Sequence, residues 1–220
     1  MRRWPKKHLP PPTRIEPSAL TALGPPFIGL SGAIAAGKSE TLRALERLGA
    51  ACLSTDEVAH KLLDEPAIVE QLVERWGEDV ARAERVDRGR VGQLVFNRPD
   101  ELRWLESITH PLVGERVVSW RQELDPEAPL AVVEVPLLFE AGMESLFDAT
   151  LVVFAGDKRR AEWAATRGTR EVAGRSGRQL SEAEKAERAT FVVANDGTIA
   201  DLEAALRKLW PELLEAGDRG

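Results

Sequence analysis

The stretch "GLSGAIAAGKSE" occupies residues 29–40, and the pattern G-x-x-x-x-G-K-[ST] lies inside it between residues 32 and 39. The two glycines let backbone N–H groups turn inward, which is how such loops surround phosphate oxygens. An apolar run, Phe27–Ser31, precedes the pattern, and three leucines at helical spacing follow it between residues 42 and 48. Strand, loop and helix in that order form the context in which the pattern is specific. The sequence therefore predicts a loop that binds a polyphosphate.

Two side chains of this loop have chemistry that suits a nucleoside polyphosphate. Lys38 is expected to reach the β- and γ-phosphates, and the Ser39 hydroxyl is expected to ligate a Mg²⁺ ion that bridges them. The helix that begins near Lys38 points its positive end at the same phosphates. The residues expected to contact the nucleotide here are Gly32, Ala33, Ile34, Ala35, Ala36, Gly37, Lys38, Ser39 and Glu40.

The overall composition is that of an ordinary globular protein and argues against several classes of function. The chain has 220 residues, 43% of them apolar and 30% charged, and its net charge of −6 argues against general nucleic-acid binding. No run of about 18 apolar residues occurs, so no membrane span is expected. The single cysteine, Cys52, cannot form an internal disulfide, which fits a reducing compartment. We expect a cytoplasmic protein that is a monomer or a weak homo-oligomer.

Residues 1–26 differ in composition from the rest of the chain. They begin with "MRRWPKKHLPPPTR", which is basic and proline-rich and is not followed by the apolar segment of a secretory signal. Such a composition favours disorder. We therefore expect a disordered extension, and contact with an acidic partner is the less favoured alternative.

Five short apolar runs are rich in Val, Ile and Leu and barely alternate with polar residues. Strands that are buried on both faces, in a parallel sheet covered by helices, have this pattern. The runs are Phe27–Ser31, Ala50–Ser54, Leu130–Leu138, Ala149–Ala155 and Thr190–Ala194. They predict an α/β core with a parallel sheet, made of residues 27–57, 127–155 and 190–212.

Two further segments depart from the strand pattern. Residues 58–126 show helical spacing without a strand signal, and His110-Pro111 is expected to interrupt one of the helices. Such an insertion stands beside the crevice of the sheet, so we predict that it is a helical domain that binds the acceptor. Residues 156–189 contain nine Lys and Arg against six Asp and Glu. We predict that this basic segment is a lid that closes over the phosphates.

The phosphate loop alone does not name a reaction, but missing motifs narrow the choice. No Asp is followed three residues later by Gly, and no N/T-K-x-D sequence occurs, so a GTPase switch is excluded. An S-G-G-Q-like sequence, which an ABC-type motor would need, is also absent. Small kinases remain, because a helical insertion and a basic lid suit a phosphate acceptor and closure over the phosphates.

Two carboxylates stand at predicted strand ends. Asp56 follows the second strand in "ACLSTDEVAH", where it could accept a proton from an attacking hydroxyl or cap the helix that follows. Glu134 interrupts "LAVVEVPLLF", where it could order Mg²⁺ through water or pair with a neighbouring arginine. The residues alone leave both alternatives open at both positions.

Other polar groups also admit a structural and a functional interpretation. A lone histidine such as His110 is more often a structural hydrogen-bonding residue than a catalyst. Asn195 begins a turn after the last strand, which needs no functional role. The seven arginines between residues 159 and 188 could form a solvated helix face, or one or two of them could neutralise charge on a moving phosphoryl group.

Taken together, the motifs resemble those of the dephospho-CoA kinase family. The two most specific are F-x-x-P-x-x-x-x-W-L-E-x-I-x-H-P, residues 96–111, and V-P-L-L-F-E-A-G, residues 135–142. The resemblance extends over about residues 27–210. It implies a three-layer P-loop kinase fold with a parallel five-stranded sheet, a helical substrate-binding insertion and a lid. It also implies that ATP, with Mg²⁺, phosphorylates the ribose 3′-hydroxyl of dephospho-CoA to give coenzyme A.

The resemblance assigns expected roles to individual residues. Asp56 matches the family's proposed base, and Arg167 looks like its lid arginine. Asn195 looks like the family's late asparagine, near the adenine of ATP. The residues expected beside the acceptor are His110, Pro136, Leu137 and Glu140.

The chain also departs from the family pattern. Ser54 stands where the family has the first Asp of D-A-D, and Glu134 stands where an Asp is usual. Trp163 stands where the family has an earlier lid arginine, and Gly114 stands where an arginine often follows H-P-L-I. Two alternatives to a dephospho-CoA kinase therefore stay open. One is a P-loop kinase of another small hydroxyl acceptor, such as a nucleoside or nucleotide, and the other is a non-catalytic nucleotide-binding relative.

Overall fold

The computed structural model describes residues 24–82, 85–96, 98–156 and 180–219. These residues divide into two compact units. The smaller unit runs from Asp56 to Arg116, and the larger unit combines the residues up to Thr55 with those from Val117 onward. In this part of the chain every helix is too short or too polar to span a bilayer.

The helices and strands follow the order β1 (Phe27–Gly32), α1 (Lys38–Arg47), β2 (Ala51–Ser54), α2 (Thr55–Leu62), α3 (Pro66–Trp76), β3 (Ala81–Arg82), β4 (Arg85–Val86), α4 (Arg88–Phe96), α5 (Pro99–Gln122), β5 (Ala131–Glu134), β6 (Ala149–Phe154), α6 (Glu182–Arg188), β7 (Phe191–Ala194) and α7 (Ile199–Leu214). Short 3₁₀ turns lie at Glu78–Val80, Glu144–Leu146 and Ala216–Arg219.

The larger unit is built on a five-stranded parallel sheet in the order β2-β5-β1-β6-β7. The central strand β1 is buried along its whole length, as expected for a strand with helices on both faces. Helices α1 and α7 contribute Leu42, Leu45, Leu202 and Leu206 to the same apolar core as β1. The predicted sheet is confirmed, with all five strands close to the apolar runs that predicted them.

The third apolar run forms a shorter strand than the sequence pattern predicts. β5 ends at Glu134, whereas the run continues to Leu138. Pro136 has no N–H group to donate to a neighbouring strand, and the chain turns there, with the Leu138 N–H donating to the Val135 carbonyl at 3.3 Å. The prediction of a strand over Leu130–Leu138 is therefore wrong beyond Glu134.

The smaller unit is mainly helical, but α5 continues through the predicted interruption at His110-Pro111. Pro111 removes one helical hydrogen bond, the one that the Ser107 carbonyl would accept. Packing favours the continuous helix, because residues on both sides of the proline, including Trp104, Ile108 and Leu112, pack on the unit's apolar cluster. The helix break predicted at this position is wrong.

A two-stranded antiparallel ribbon, β3 with β4, also lies in the segment predicted to be entirely helical. Each strand has only two residues, too few for a periodic pattern. Asp64 stabilises the ribbon by accepting the Val86 N–H at 3.1 Å. This contact joins residues 22 positions apart, which local sequence patterns do not reveal.

Candidate active site

The loop between β1 and α1 follows a path that requires its two fixed glycines. A Cβ atom added to Gly32 would lie 2.3 Å from the backbone oxygen of Val153 in β6, so no side chain fits where the loop leaves the sheet. Farther along, Ala35 (φ 61°) and Gly37 (φ 95°) have left-handed backbone conformations, which glycine adopts without strain. Gly37 is also the N-cap of α1.

The beginning of α1 presents backbone N–H groups and a lysine to the loop. Gly37 has no side chain with which to cap the helix, and the first N–H groups of any α-helix have no acceptor within it. These groups and the helix dipole attract anions. Lys38 Nζ lies at the same place, where it donates to the carbonyls of Gly32 and Ala33 at 3.2 and 3.1 Å. The arrangement is that of a phosphate-binding loop.

Ser39 and Glu40 share the first turn of α1 but differ in their contacts. The Glu40 N–H donates to the Gly37 carbonyl at 3.0 Å, and its carboxylate pairs with Arg43 and Arg47 at 3.2 and 3.0 Å. Glu40 therefore stabilises α1, and its contact with a nucleotide stays a prediction. Ser39 is half-buried.

The carboxyl ends of β1, β2 and β5 meet at the edge of the sheet next to the loop. Glu134 is only 5% exposed and pairs in register with Leu30 of β1 and Ser54 of β2. The Thr55 hydroxyl, directly after β2, donates to the Glu134 carbonyl at 2.8 Å. Because ligands of open parallel sheets bind outside the carboxyl ends of the strands, this edge is the candidate site for the reacting phosphate.

Asn195 approaches the loop from the end of β7. Its side chain is 2% exposed, and its Nδ2 donates to the Ala36 carbonyl at 3.0 Å. The residues alone predict a simple turn at Asn195, and the family resemblance predicts a position near the adenine of ATP. The contact with the loop was not expected from the sequence.

A family profile described as dephospho-CoA kinase matches residues 26–201 of the chain. Curated dephospho-CoA kinases from Deinococcus radiodurans and Thermus thermophilus are 37% and 35% identical to it. These alignments cover 88% and 86% of this chain, and 97% and 92% of the relatives. The chain belongs to the dephospho-CoA kinase family.

Solved structures agree with membership of the dephospho-CoA kinase family. The Thermus thermophilus protein TT1252 matches with a TM-score of 0.72 at 35% identity, over 86% of this chain and 98% of that one. Dephospho-CoA kinase from Campylobacter jejuni matches with a TM-score of 0.61 at 26% identity, over 85% and 96%. A shikimate kinase from Acinetobacter baumannii, at 15% identity and a TM-score of 0.50, shows likeness of fold alone. The predicted P-loop kinase fold and the predicted family are confirmed.

The P-L-L-F-E motif of the dephospho-CoA kinase family lies just after β5. The Pro136 carbonyl accepts the Ser31 hydroxyl at 3.3 Å, and the Leu137 carbonyl accepts the Ala141 N–H at 3.0 Å. Glu140, which ends the motif, accepts the Leu180 N–H at 2.8 Å and lies 2.9 Å from Lys185 Nζ. Glu140 thus contacts residues in the last part of the predicted lid segment, residues 156–189, and its role beside the acceptor stays a prediction.

The remaining residues that the family resemblance singled out are distributed along the chain. Asp56 is the second residue of α2, and His110 lies exposed on α5; both belong to the smaller unit. Arg167 lies outside the described residues. The predicted extension over residues 1–26 and the lid over residues 156–189 fall largely outside them as well.

The described residues contain no group of three His, Cys, Asp or Glu side chains that could hold a metal ion. Mg²⁺ in kinases is commonly held by one or two protein oxygens together with substrate phosphates and water. The oxygen donors near the loop, the Ser39 hydroxyl and the Glu134 carboxylate, fit that requirement in their chemistry.

Sequence reasoning missed Lys185, which is fully buried on α6. It lies in the segment "EAEKAER", where a lysine between charged neighbours looks like part of a solvated helix face. Thr55 was likewise overlooked beside Asp56. Neither residue carries a local signal, because each acquires its partner from a distant part of the chain.

Proposed function

We propose that this protein transfers the γ-phosphoryl group of ATP to the ribose 3′-hydroxyl of dephospho-CoA and so forms coenzyme A, the last step of coenzyme A synthesis. The observation that carries the proposal is the geometry of the phosphate loop. Its two glycines, the start of α1 and Lys38 meet in the arrangement that grips a triphosphate. Membership of the dephospho-CoA kinase family supports the choice of acceptor.

The loop and Lys38 would bind and orient the triphosphate. N–H groups at the start of α1 would donate to phosphate oxygens, and Lys38 Nζ would exchange its bonds to Gly32 and Ala33 for bonds to the β- and γ-phosphates. Positioned donors of this kind stabilise charge as it spreads over the transferring group. Lys38 is therefore both a nucleotide-binding and a catalytic residue in the proposal.

Mg²⁺ would be held by Ser39, with Glu134 ordering its water ligands. When bound, the ion would supply positive charge that offsets the charge of the phosphate oxygens. Glu134 is buried at the carboxyl end of β5, which supports a role at this edge rather than in solvent. Its side chain is one methylene longer than the aspartate usual in the family.

Asp56 is the proposed general base, which would accept the proton of the 3′-hydroxyl as that oxygen attacks the γ-phosphorus. Two observations support the choice. Asp56 matches the family's base in sequence, and it directly follows Thr55, whose hydroxyl is bonded to the carboxyl end of β5. A carboxylate suits the task because its oxygens can accept a hydrogen bond from the attacking hydroxyl and then its proton.

The residues proposed to contact the acceptor are those that the family resemblance singles out. His110 and the segment Pro136–Leu137 are proposed beside the CoA portion, with Glu140 contributing through its place at the end of the same motif. Arg167 is proposed to neutralise charge on the transferring phosphoryl group. Besides ATP and Mg²⁺, dephospho-CoA is the partner that the proposal requires, and the reaction is proposed to take place in the cytoplasm.

The proposal is tested by measuring ADP release with dephospho-CoA and, in parallel, with a panel of nucleosides and nucleotides. Among the acceptors tested with ATP, we expect turnover only with dephospho-CoA, and a product whose mass is that of coenzyme A. Lys38→Ala should abolish the reaction, and Lys208→Ala, at an exposed position on α7, should leave it unchanged. ATP binding without turnover on dephospho-CoA would overturn the proposal, as would preference for another hydroxyl acceptor.

A further inference from the structure

The side-chain amide of Asn195 is buried and points at the backbone of the phosphate loop. It is 2% exposed, and its Nδ2 lies 3.0 Å from the carbonyl oxygen of Ala36, a residue 159 positions earlier in the chain. A carbonyl can only accept a hydrogen bond, so the NH₂ end of the amide must be the end that faces it. The orientation of this asparagine is therefore set by its partner.

The main chain around Asn195 is anchored on both sides. Its N–H extends the pairing of β7 with β6 by donating to the Phe154 carbonyl at 2.8 Å. The next residue, Asp196, accepts the Gly156 N–H. Shortly after it, the Thr198 side chain caps α7 by accepting the Asp201 N–H at 3.2 Å. The amide thus projects from a rigid frame.

The loop side of the contact is anchored to the same frame. Arg47 of α1 and Glu203 of α7 form an ion pair at 2.7 Å, and leucines of both helices share one apolar core. Ala36 itself is fully buried, and its N–H donates to the Ala33 carbonyl at 3.2 Å. With its carbonyl bound to Asn195, both backbone polar groups of Ala36 have partners.

The carbonyl of Ala36 and the N–H of Gly37 belong to one peptide group. A trans peptide is planar, and its C=O and N–H point in opposite directions. A donor that holds the carbonyl on one side therefore aims the Gly37 N–H to the other side. Gly37 is the N-cap of α1, at the end of the helix that attracts anions.

We propose that Asn195 is a positioning residue that holds the Ala36–Gly37 peptide group so that the Gly37 N–H faces the phosphates of the nucleotide. It acts on the phosphate chain through the loop rather than by recognising the adenine base. The inference rests on the proposed function, because the loop must bind the ATP that the reaction consumes. In Asn195→Asp, a carboxylate oxygen takes the place of the NH₂ group. Repulsion between this oxygen and the Ala36 carbonyl should then replace the hydrogen bond and release the peptide group.

The test compares wild type, Asn195→Asp and Asn195→Ser in binding to ATP and to magnesium tripolyphosphate, which has no base. Calorimetry should show that each variant binds ATP about tenfold more weakly than the wild type does, as expected for a lost hydrogen bond and a misoriented N–H. The same variant should lose affinity for magnesium tripolyphosphate by the same factor. The matched control is Val192→Thr, at an exposed position on the same strand, which should bind both ligands like the wild type. Asn195→Ser answers the question if the aspartate variant does not fold.

The outcomes separate this inference from its alternatives. If the variants lose affinity for ATP but not for tripolyphosphate, Asn195 contacts the base and the inference is wrong. If they bind both ligands like the wild type, the contact with Ala36 has no role in positioning. Failure of the wild type to phosphorylate dephospho-CoA would overturn the proposed function alone, since the binding comparison needs no acceptor. If the wild type bound neither ATP nor tripolyphosphate, the proposed function and this inference would both be overturned.

Discussion

At the scale of single residues, Asp56 and Lys38 differ in the kind of evidence behind them. Lys38 is bonded to the loop carbonyls of Gly32 and Ala33, so its predicted place in the phosphate loop agrees with its contacts. Asp56 belongs to the smaller unit, and its role as base rests on its match to the family and its place directly after Thr55. A kinetic measurement is the direct way to examine it.

We predict that Asp56→Asn binds ATP normally but turns over roughly 10²–10⁴-fold more slowly, the usual contribution of general base catalysis. The amide has nearly the same shape as the carboxylate but cannot accept the proton of the hydroxyl. Steady-state kinetics with dephospho-CoA, together with calorimetry for ATP, would measure both quantities. Glu57→Gln, at the exposed neighbouring position, is the matched control and should behave as wild type. An unchanged kcat in Asp56→Asn would contradict the assignment.

At the scale of elements, two ion pairs connect the short helix α6 to the segment after β5, and one of them involves a buried lysine. Lys185 is fully buried and pairs with Glu140 at 2.9 Å, while Arg188 at the end of the helix pairs with Glu144. The contact between Lys185 and Glu140 is an ion pair rather than an aligned hydrogen bond. Among the described residues, Glu140 Oε2 has no hydrogen-bond partner. This ion pair therefore holds α6 in place only while both charges are present.

We predict that Lys185→Met lowers the free energy of unfolding by about 3 kcal/mol, because it leaves a carboxylate buried without its countercharge. Adding Glu140→Gln to that variant should restore part of the loss, since the uncompensated charge is then removed. Urea denaturation of the two single variants and the double variant would measure the coupling. Glu187→Gln, at an exposed position on the same helix, should have little effect. Additive losses in the double variant would show that the two residues do not act as a pair.

The β3–β4 ribbon of the smaller unit depends on Asp64, whose carboxylate accepts the Val86 N–H at 3.1 Å and pairs with Arg88 at 2.9 Å. Partial burial acts to raise the pKa of Asp64, but the hydrogen bonds from Val86 and Arg88 together hold it below its ordinary value of 3.8. Because the folded-state pKa is the lower one, Asp64 contributes stability at pH values above 3.8. That contribution is lost as the pH falls through the folded-state value.

We predict that Asp64→Asn lowers stability by about 1 kcal/mol at neutral pH, the net value of a hydrogen bond, and that the difference from wild type shrinks below about pH 4. Denaturation midpoints measured from pH 7 to pH 3 would show the convergence. Asp79→Asn, at a highly exposed position in the same unit, is the control. Its denaturation midpoints should run parallel to those of the wild type and show no convergence at low pH. A constant gap between Asp64→Asn and wild type at all pH values would contradict the electrostatic explanation.

At the scale of the whole molecule, the family match extends over residues 26–201 and therefore includes residues of both units. The phosphate loop belongs to the larger unit, and the proposed base and His110 belong to the smaller one. Nucleotide binding and acceptor chemistry are thus assigned to different parts of the chain. Binding of ATP is expected to stabilise the protein whether or not an acceptor is present.

We predict that magnesium ATP at about 100 times its Kd adds about 2.7 kcal/mol of stability. For a chain of this size, that corresponds to a rise in Tm of roughly 5–10 °C. Differential scanning calorimetry with and without ATP would measure the shift. Lys38→Ala should remove most of it, and Lys208→Ala should retain it. An equal shift in Lys38→Ala and wild type would show that ATP binds away from the loop.

Patterns along the chain were sufficient for the phosphate loop, the five strands and the family, since each depends on residues that are neighbours in sequence. The same patterns were wrong where a distant partner outweighs a local preference, as at Pro111, where packing keeps α5 continuous, and at the β3–β4 ribbon. Tertiary structure alone decided the order of the strands, the burial of Lys185 and the hydrogen bond from Asn195 to Ala36. These features join residues far apart in sequence, and a contact energy between distant residues leaves no periodic trace in the chain.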